Sequence, residues 1–229
     1  MNTDIRIDKT SHLLAGTASV MAGMCFLFGM IVYITVFSFG SYGDIGKSIA
    51  PQLTLMSTYS ALMYLWYFVI YIVFGVALMV FQIAIKPHLQ TGWFASIALV
   101  FGYFWSGLTI ASGMLANIGT HMVLELMEVN QELAISLWYT LQMLINGIGG
   151  GNELVGGIWL LLLGLSYKAD LIIERWLRAV AIVFGGIGLF TAVPILTDLG
   201  EIFGIGSMVW FLVMGCYQLG RYRGGKAYV

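Results

Sequence analysis

Runs of apolar residues long enough to cross a lipid bilayer recur along the chain. A membrane-spanning helix needs about 20 apolar residues to cross roughly 30 Å of hydrocarbon. Six segments reach this length, at about residues 12–37, 57–85, 91–117, 134–165, 171–194 and 204–222. Because lipid offers no partner to free backbone N–H and C=O groups, each segment is expected to be helical. The pattern predicts an all-α fold, a polytopic transmembrane bundle of six helices that forms one domain over residues 1–229.

The basic residues between these segments are distributed unevenly. In a six-span chain, nine of them fall on one side of the membrane: Arg6, Lys9, Lys86, Lys168, Arg175, Arg178, Arg221, Arg223 and Lys226. Only Lys47 falls on the other side. Cytoplasmic loops of membrane proteins carry the excess of lysine and arginine. Both termini are therefore predicted to be cytoplasmic.

The composition agrees with a membrane protein. Hydrophobic residues make up 60% of the 229 residues and charged residues only 9%, whereas a soluble domain has about 25% charged residues. The expected surroundings are therefore the lipid bilayer. The net charge of −1 produces no strong field to attract nucleic acid, so no nucleic-acid partner is expected.

Small residues lie close together in the first and fifth segments. They are Ala18, Ser19, Ala22 and Gly23 in the first, and Gly185, Gly186 and Gly188 in the fifth. Small side chains let helix backbones approach closely. The glycines of the fifth segment are expected to pack on another glycine-rich helix. For the first segment two interpretations stay open, packing within the chain and docking to a membrane-protein partner or a second copy.

Two connections carry most of the polar residues outside the spans. Residues 38–56 are expected to form an outer loop, and residues 118–133 a separate amphipathic helix. That helix carries four polar side chains on one face: His121, Glu125, Glu128 and Glu132. Such a face is a conceivable site for a divalent cation, but an acidic face exposed to solvent is the more common arrangement. We therefore predict no metal site.

A polar stripe crosses the fourth segment. Gln142, Asn146, Gly149 and Glu153 recur at intervals that place them on one helical face. The segment also holds seven glycines between residues 141 and 164, and glycine is costly inside helices. We expect this segment to tilt, to protrude or to break at Gly147–Gly151. Helices broken within the membrane mark binding sites in many transporters.

Glu153 is the only carboxylate that we place inside hydrocarbon. A charge there costs about 3 kcal/mol or more and usually has a function, so Glu153 is expected to be protonated or to reach water. The candidate site for a ligand or proton comprises Glu153, Asn152, Asn146 and Gln142, with Tyr64 and Tyr67 of the second segment. The alternative is that Glu153 only joins two helices through a hydrogen bond.

The run from Asn152 to Gly164, NELVGGIWLLLLG, resembles a pattern in bacterial six-span integral membrane proteins of unknown function. In that family an Asn-Glu pair precedes small residues, a tryptophan and a leucine run. The resemblance is specific over about residues 140–165 and looser elsewhere. It implies a multi-pass protein of the bacterial inner (plasma) membrane and implies no reaction.

These features predict a membrane protein that binds or transports a small molecule or ion around an intramembrane carboxylate. The alternative is a non-catalytic subunit or assembly factor of a larger membrane complex. We do not expect an enzyme, because Glu153 has no identifiable metal or nucleophile beside it. No cofactor is expected either, since His12, His88 and His121 lie at span ends or in loops, where they cannot pair as axial ligands of an intramembrane haem.

Overall fold

The computed structural model describes residues 9–40, 42, 49–150, 153–196 and 198–224. Within these residues the regular secondary structure is helical, and the only extended pairing is an isolated bridge between Leu89 and Tyr167. The predicted all-α class is confirmed. The α-helices are α1 Lys9–Val32, α2 Ile49–Thr58, α3 Ser60–Tyr67, α4 Phe74–Ile85, α5 Trp93–Val129, α6 Gln131–Ile145, α7 Leu154–Ser166, α8 Ile172–Phe190 and α9 Leu199–Arg223.

Several of these helices have the length and composition of membrane spans. Among the described residues, four continuous helical stretches qualify: Lys9–Gly40, Ser60–His88, Trp93–Val129 and Leu199–Arg223. The first stretch adds short π- and 3₁₀-helical turns to α1, and the second joins α3 and α4 through a π-helical turn. Helix α7 is apolar but shorter. The chain is thus a membrane protein built from long apolar helices.

The long helices form a closed ring. Each packs on the next in the order α1, α9, α8, α7, α5, α4 and back to α1. The centre of the ring is filled by large buried aromatic side chains: Phe74, Phe81, Trp105, Trp159, Trp210 and Phe211. Trp159 stacks on Phe211 with 5.7 Å between ring centroids. Offset and edge-to-face contacts of this kind add to the stabilisation from packing.

Glycines bring α7 and α8 into backbone contact. A Cβ atom added at Gly157 would lie 2.7 Å from the carbonyl carbon of Gly188, and one added at Gly185 would lie 2.3 Å from the nitrogen of Leu161. The expected packing of the fifth segment on a glycine-rich helix is therefore confirmed. Gly186 is different, because no atom lies within 4 Å of a Cβ built there.

The small residues of α1 pack on α9 within the same chain. The Ser19 hydroxyl donates a hydrogen bond to the carbonyl oxygen of Phe211 over 2.7 Å. Cβ atoms added at Gly16 and Gly23 would lie 2.7 Å from the side chains of Leu219 and Leu212. The structure thus uses this stripe for packing within the chain.

The predicted outer loop over residues 38–56 is partly wrong, because α2 begins at Ile49. Its buried Gln52 explains how a polar sequence packs there. The indole N–H of Trp138 donates a hydrogen bond to the Gln52 side-chain oxygen over 3.1 Å. This bond connects α2 to α6 and gives the buried indole N–H of Trp138 a partner.

The predicted amphipathic helix over residues 118–133 is helical as far as Val129, but it is not separate from the third segment. Helix α5 continues without a break to Val129, and α6 begins after Asn130, whose side chain accepts a hydrogen bond from the Leu133 N–H over 3.1 Å. This N-cap sets the boundary. With 37 residues, α5 is about 55 Å long at 1.5 Å per residue. The C-terminal part of α5 and α6 pack together as a hairpin, on which the exposed side chains of His121 and Glu125 lie 3.3 Å apart.

Helix ends that the sequence places on the cytoplasmic side meet at one end of the bundle. His12 Nδ1 and the Gln218 side-chain oxygen share a hydrogen bond of 2.6 Å. The Gln218 amide donates to the Tyr167 hydroxyl over 3.1 Å. The rings of His12 and His88 lie 4.6 Å apart in an edge-to-face arrangement. These contacts connect α1, α9, the end of α7 and the turn after α4.

Candidate functional site

Within the described residues the fourth segment is not one regular α-helix; it was expected to tilt, to protrude or to break at Gly147–Gly151. Helix α6 ends at Ile145, a π-helical turn covers Asn146–Gly150, and α7 begins at Leu154. Glu153 precedes α7 in a non-helical conformation, with φ −84° and ψ 8°. Glycine favours such interruptions because it gains little from the helical conformation. The carboxylate of Glu153 therefore lies at a discontinuity within an apolar segment.

An apolar cavity of about 400 Å³ opens beside this break. Its walls come from the C-terminal part of α1 with the π-helical turn that follows it, from the α3–α4 stretch, from α5 and from the beginning of α9. The aromatic part of the lining consists of Phe26, Tyr33, Trp66, Tyr71, Phe74 and Trp105. The volume falls within the range of roughly 300–1,000 Å³ that is usual for small-molecule sites.

Two carboxylates line the cavity, Glu153 and Glu201. Glu153 is partly exposed and lies against α9, because a Cβ built at Gly200 would be 3.6 Å from its Cγ atom. Glu201 is exposed, in the first turn of α9. The Glu153 carboxylate has no hydrogen-bond or ion-pair partner among the residues that the structure describes. It shares the cavity lining with Tyr71, which is near enough to interact with it electrostatically.

Sequence reasoning missed Glu201. The sixth segment was expected to begin at about residue 204, whereas α9 begins at Leu199. A signal was present, since acidic residues favour the first turn of a helix and Asp198 and Glu201 directly precede the apolar run. Nothing in the sequence, however, brings the start of α9 to the break before α7.

A polar cluster lies next to the cavity, beside Tyr71. The Gln142 amide donates a hydrogen bond to the Tyr42 hydroxyl over 3.4 Å, and the hydroxyls of Tyr42 and Tyr67 are hydrogen-bonded to each other. The ring of Tyr67 stacks on that of Tyr71 with 6.0 Å between centroids. Because Tyr71 lines the cavity, the cluster reaches from Gln142 to the cavity wall.

Tyr42 holds this cluster together. Its ring packs against Trp66 and Trp138, with centroids 5.6 Å and 5.8 Å away. Burial raises the pKa of Tyr42 to about 12, although its hydrogen bonds to Tyr67 and Gln142 act in the opposite direction. At neutral pH this hydroxyl therefore keeps its proton. No pattern distinguishes Tyr42 from the other residues of the segment predicted as an outer loop over 38–56.

The other expected site residues have different positions. The side chain of Asn146 is exposed and that of Tyr64 is partly exposed, whereas Tyr67 and Gln142 are buried. Asn152 lies outside the described residues. The structure therefore joins Gln142 to Tyr67 through Tyr42 and places Glu153 in the neighbouring cavity. In the described part of the chain, no group of three or more His, Cys, Asp or Glu residues is arranged to hold a metal ion.

A second buried polar side chain, Gln82, has a structural role. The indole N–H of Trp159 donates to the Gln82 side-chain oxygen over 3.0 Å. A Cβ added at Gly102 would lie 2.2 Å from the Gln82 amide carbon, so glycine leaves the space that this amide fills. The interaction joins α4, α5 and α7 inside the filled part of the bundle.

Comparison with known proteins gives no relative from which a function can be transferred. No protein-family model matches the chain, and neither curated proteins nor solved structures give a match. A functional proposal therefore depends on the geometry of the cavity and the polar cluster.

Proposed function

We propose that this chain is a six-span protein of the bacterial inner membrane that binds or transports a small molecule or ion in the cavity beside Glu153. The observation that carries the proposal is a carboxylate at a helix break, facing an apolar cavity of about 400 Å³. A carboxylate inside a membrane protein is expensive, and such residues usually face a pathway or a binding site. The resemblance of residues 152–164 to bacterial six-span proteins is the basis for the proposed location.

The six-span arrangement adds two crossings to the four long helical stretches. The fourth crossing comprises α6, the π-helical turn and α7, and the fifth is α8. The ring of helices supports this topology, because α7 and α8 pack on each other and lie between α5 and α9, which are both long and apolar. Both termini are then cytoplasmic, and the turn at Asn130 is extracytoplasmic.

Cysteine labelling tests this topology. Asn130→Cys is expected to react with a membrane-impermeant maleimide in intact cells, because the turn between α5 and α6 faces outward in the proposed arrangement. Gly224→Cys is expected to react only after the cells are permeabilised. The opposite result would place the termini outside, and labelling of both positions from outside would rule out six spans.

Native mass spectrometry of the protein extracted gently from its own membrane tests the binding function. Gly204 lines the cavity, and a Cβ built there meets no atom within 4 Å. The side chain of Gly204→Leu is therefore expected to project into the cavity and to occupy part of it, because its Cβ meets no wall atom. The wild-type protein is expected to retain a small molecule or a specific lipid, and Gly204→Leu to lose it.

Gly220→Leu is the matched control for this experiment. Gly220 lies on the same helix, is exposed, and likewise has no atom within 4 Å of a built Cβ, but it does not line the cavity. It is expected to retain the bound molecule. Retention by Gly204→Leu at the wild-type level, or a bare wild-type chain, would contradict a binding function for the cavity.

The second candidate function is a subunit or assembly factor of a membrane complex. This function would use the glycine-rich faces as docking surfaces, but Gly157, Gly185 and Gly188 are occupied within the chain, as are Gly16 and Gly23. The binding function is therefore preferred. A stoichiometric protein partner in the same mass spectra would reverse that preference.

A further inference from the structure

We propose that the cavity beside Glu153 takes a lipophilic organic cation, which enters sideways from the bilayer between the outer halves of α1 and α9. This inference rests on the proposed binding function and adds the charge of the ligand, its chemical class and its route. It depends on three features of the cavity: the carboxylates, the aromatic walls and the open side.

The charge of the lining selects the charge of the ligand. Glu153 and Glu201 are its ionisable carboxylates, and no lysine, arginine or histidine is among the described residues that line it. In a low-dielectric cavity, a bound cation offsets the cost of an ionised carboxylate, whereas an anion is repelled. Hard metal ions such as Ca²⁺ need six to eight oxygen ligands, so a largely apolar lining with two carboxylates fits an organic cation better.

The aromatic walls favour the same class of ligand. The faces of tryptophan, tyrosine and phenylalanine attract cations, tryptophan most strongly, and they recognise quaternary ammonium groups in this way. Trp66 is held in place because its indole N–H donates to the carbonyl oxygen of Gly29 over 3.0 Å. Trp105 packs on Phe74 with 5.2 Å between ring centroids. The cavity thus presents fixed aromatic surfaces that need no rearrangement to accept an apolar cation.

The open side of the cavity faces the lipid. The contacts that join α1 to α9 involve the inner residues of α1, up to Phe26, whose ring stacks on Phe211 at 6.3 Å. Beyond Phe26, both helices line the cavity instead. The residues at its edge include apolar side chains with large exposed fractions: Tyr33 at 40%, Ile34 at 59% and Ile205 at 52%. An apolar cation that partitions into the bilayer can pass between these helices, with Glu201 at the entrance.

Two ions of the same shape and opposite charge test the inference. Equilibrium dialysis would measure binding of tetraphenylphosphonium and of tetraphenylborate to the full chain in lipid nanodiscs, after subtraction of uptake by empty nanodiscs. Wild-type protein is expected to bind tetraphenylphosphonium at one saturable site and not to bind tetraphenylborate. Glu153→Gln is expected to weaken cation binding by roughly tenfold or more, because it removes one partner of a desolvated charge pair.

Three variants separate the charge effect from damage to the fold. Glu153→Asp keeps the charge and is expected to retain most of the affinity. Glu128→Gln removes an exposed carboxylate of α5 that does not line the cavity and is expected to have no effect. Gly204→Leu is expected to abolish cation binding. Each variant is compared only when it elutes and melts like the wild-type protein.

The outcomes distinguish this inference from the proposed function. Equal binding of both ions, unchanged cation affinity in Glu153→Gln, or cation binding that survives Gly204→Leu would each overturn the inference. If neither ion binds while native mass spectrometry still finds a molecule that Gly204→Leu removes, the inference is wrong and the binding function stands. If Gly204→Leu removes nothing in either experiment, both fail.

Discussion

The packed core of the bundle and the cavity wall use glycine in opposite ways. At the contact between α7 and α8, Gly157, Gly185 and Gly188 let the two helices touch backbone to backbone, and on α5 Gly102 leaves a notch that Gln82 fills. In the cavity wall, Gly204 faces empty space. The absence of a side chain therefore allows close helix packing in one region and leaves the cavity open in the other.

This difference separates stability from binding. Large aromatic side chains fill the packed core, and their removal or displacement is expected to cost stability. The cavity is an unfilled volume of about 400 Å³, which a globular core normally avoids because empty space forfeits dispersion contacts. Changes in the packed core should therefore alter stability, while changes in the cavity should alter binding with little effect on stability.

The largest effect is expected from Gly185→Ala. Its new Cβ would lie 2.3 Å from a backbone nitrogen of α7, and the backbone cannot move aside as a flexible side chain can. We expect a loss of about 3 kcal/mol or more in the free energy of unfolding, the upper end for overpacking. Reversible unfolding in mixed micelles, followed by circular dichroism, measures it.

Gly186→Ala is the control on the same helix. It has no neighbour within 4 Å, so it is expected to gain up to about 1 kcal/mol from helix propensity. Equal effects at the two positions would mean that the helix contact does not limit stability.

A smaller effect is expected from the hydrogen bond between Trp159 and Gln82. Trp159→Phe, Gln82→Leu and the double variant form a thermodynamic cycle that isolates this interaction. We expect a coupling energy of about 1 kcal/mol, typical of polar contacts between membrane helices. A coupling energy near zero would show that the packing of the rings, and not the hydrogen bond, stabilises the packed core around Trp159.

The smallest effect at neutral pH is expected from Tyr42→Phe, which removes a hydroxyl from the cluster beside the cavity. The lost hydrogen bonds are expected to cost about 1 kcal/mol. The effect changes with pH because the pKa of Tyr42 rises from 10.0 to about 12 in the folded protein. Between these values the folded chain holds a proton that the unfolded chain has released, so stability falls as the pH rises.

Unfolding measured from pH 7 to 12 checks this prediction. The wild-type protein is expected to lose stability more steeply than Tyr42→Phe above pH 10, and at the same rate below it. Tyr139→Phe, on α6, controls for the other tyrosines. Parallel curves for the wild type and Tyr42→Phe would contradict a buried, proton-retaining Tyr42.

Local patterns along the sequence predicted much of the packed core. Hydrophobic runs predicted the helical class, and the glycines of the fifth segment predicted close packing on another glycine-rich helix. These features depend on residues near one another in the chain, where the helical period decides which side chains share a face. At Gly147–Gly151, where a break was one expectation, the described residues up to Gly150 instead form a π-helical turn.

The candidate site was harder to predict, because it depends on which helices become neighbours. Glu153 and Glu201 belong to different segments of the sequence and line the same cavity only because α9 closes the ring. Tyr42 lies in a loop without a periodic pattern, yet it joins Gln142 to Tyr67. The π-helical turn at Phe68–Val73 follows Tyr67 and contains Tyr71. A regular period of 3.6 residues does not predict such a turn.

The hairpin of α5 and α6 has a practical consequence for imaging. A 25.2 kDa membrane protein offers electron microscopy almost no feature outside the detergent belt with which to align particles. Helix α5 exceeds the roughly 30 Å hydrocarbon thickness by about 25 Å, and the turn at Asn130 caps a continuous rigid helix. A helical fusion partner inserted between Val129 and Gln131 would therefore serve as a rigid fiducial for particle alignment. The cavity could then be imaged with and without its ligand.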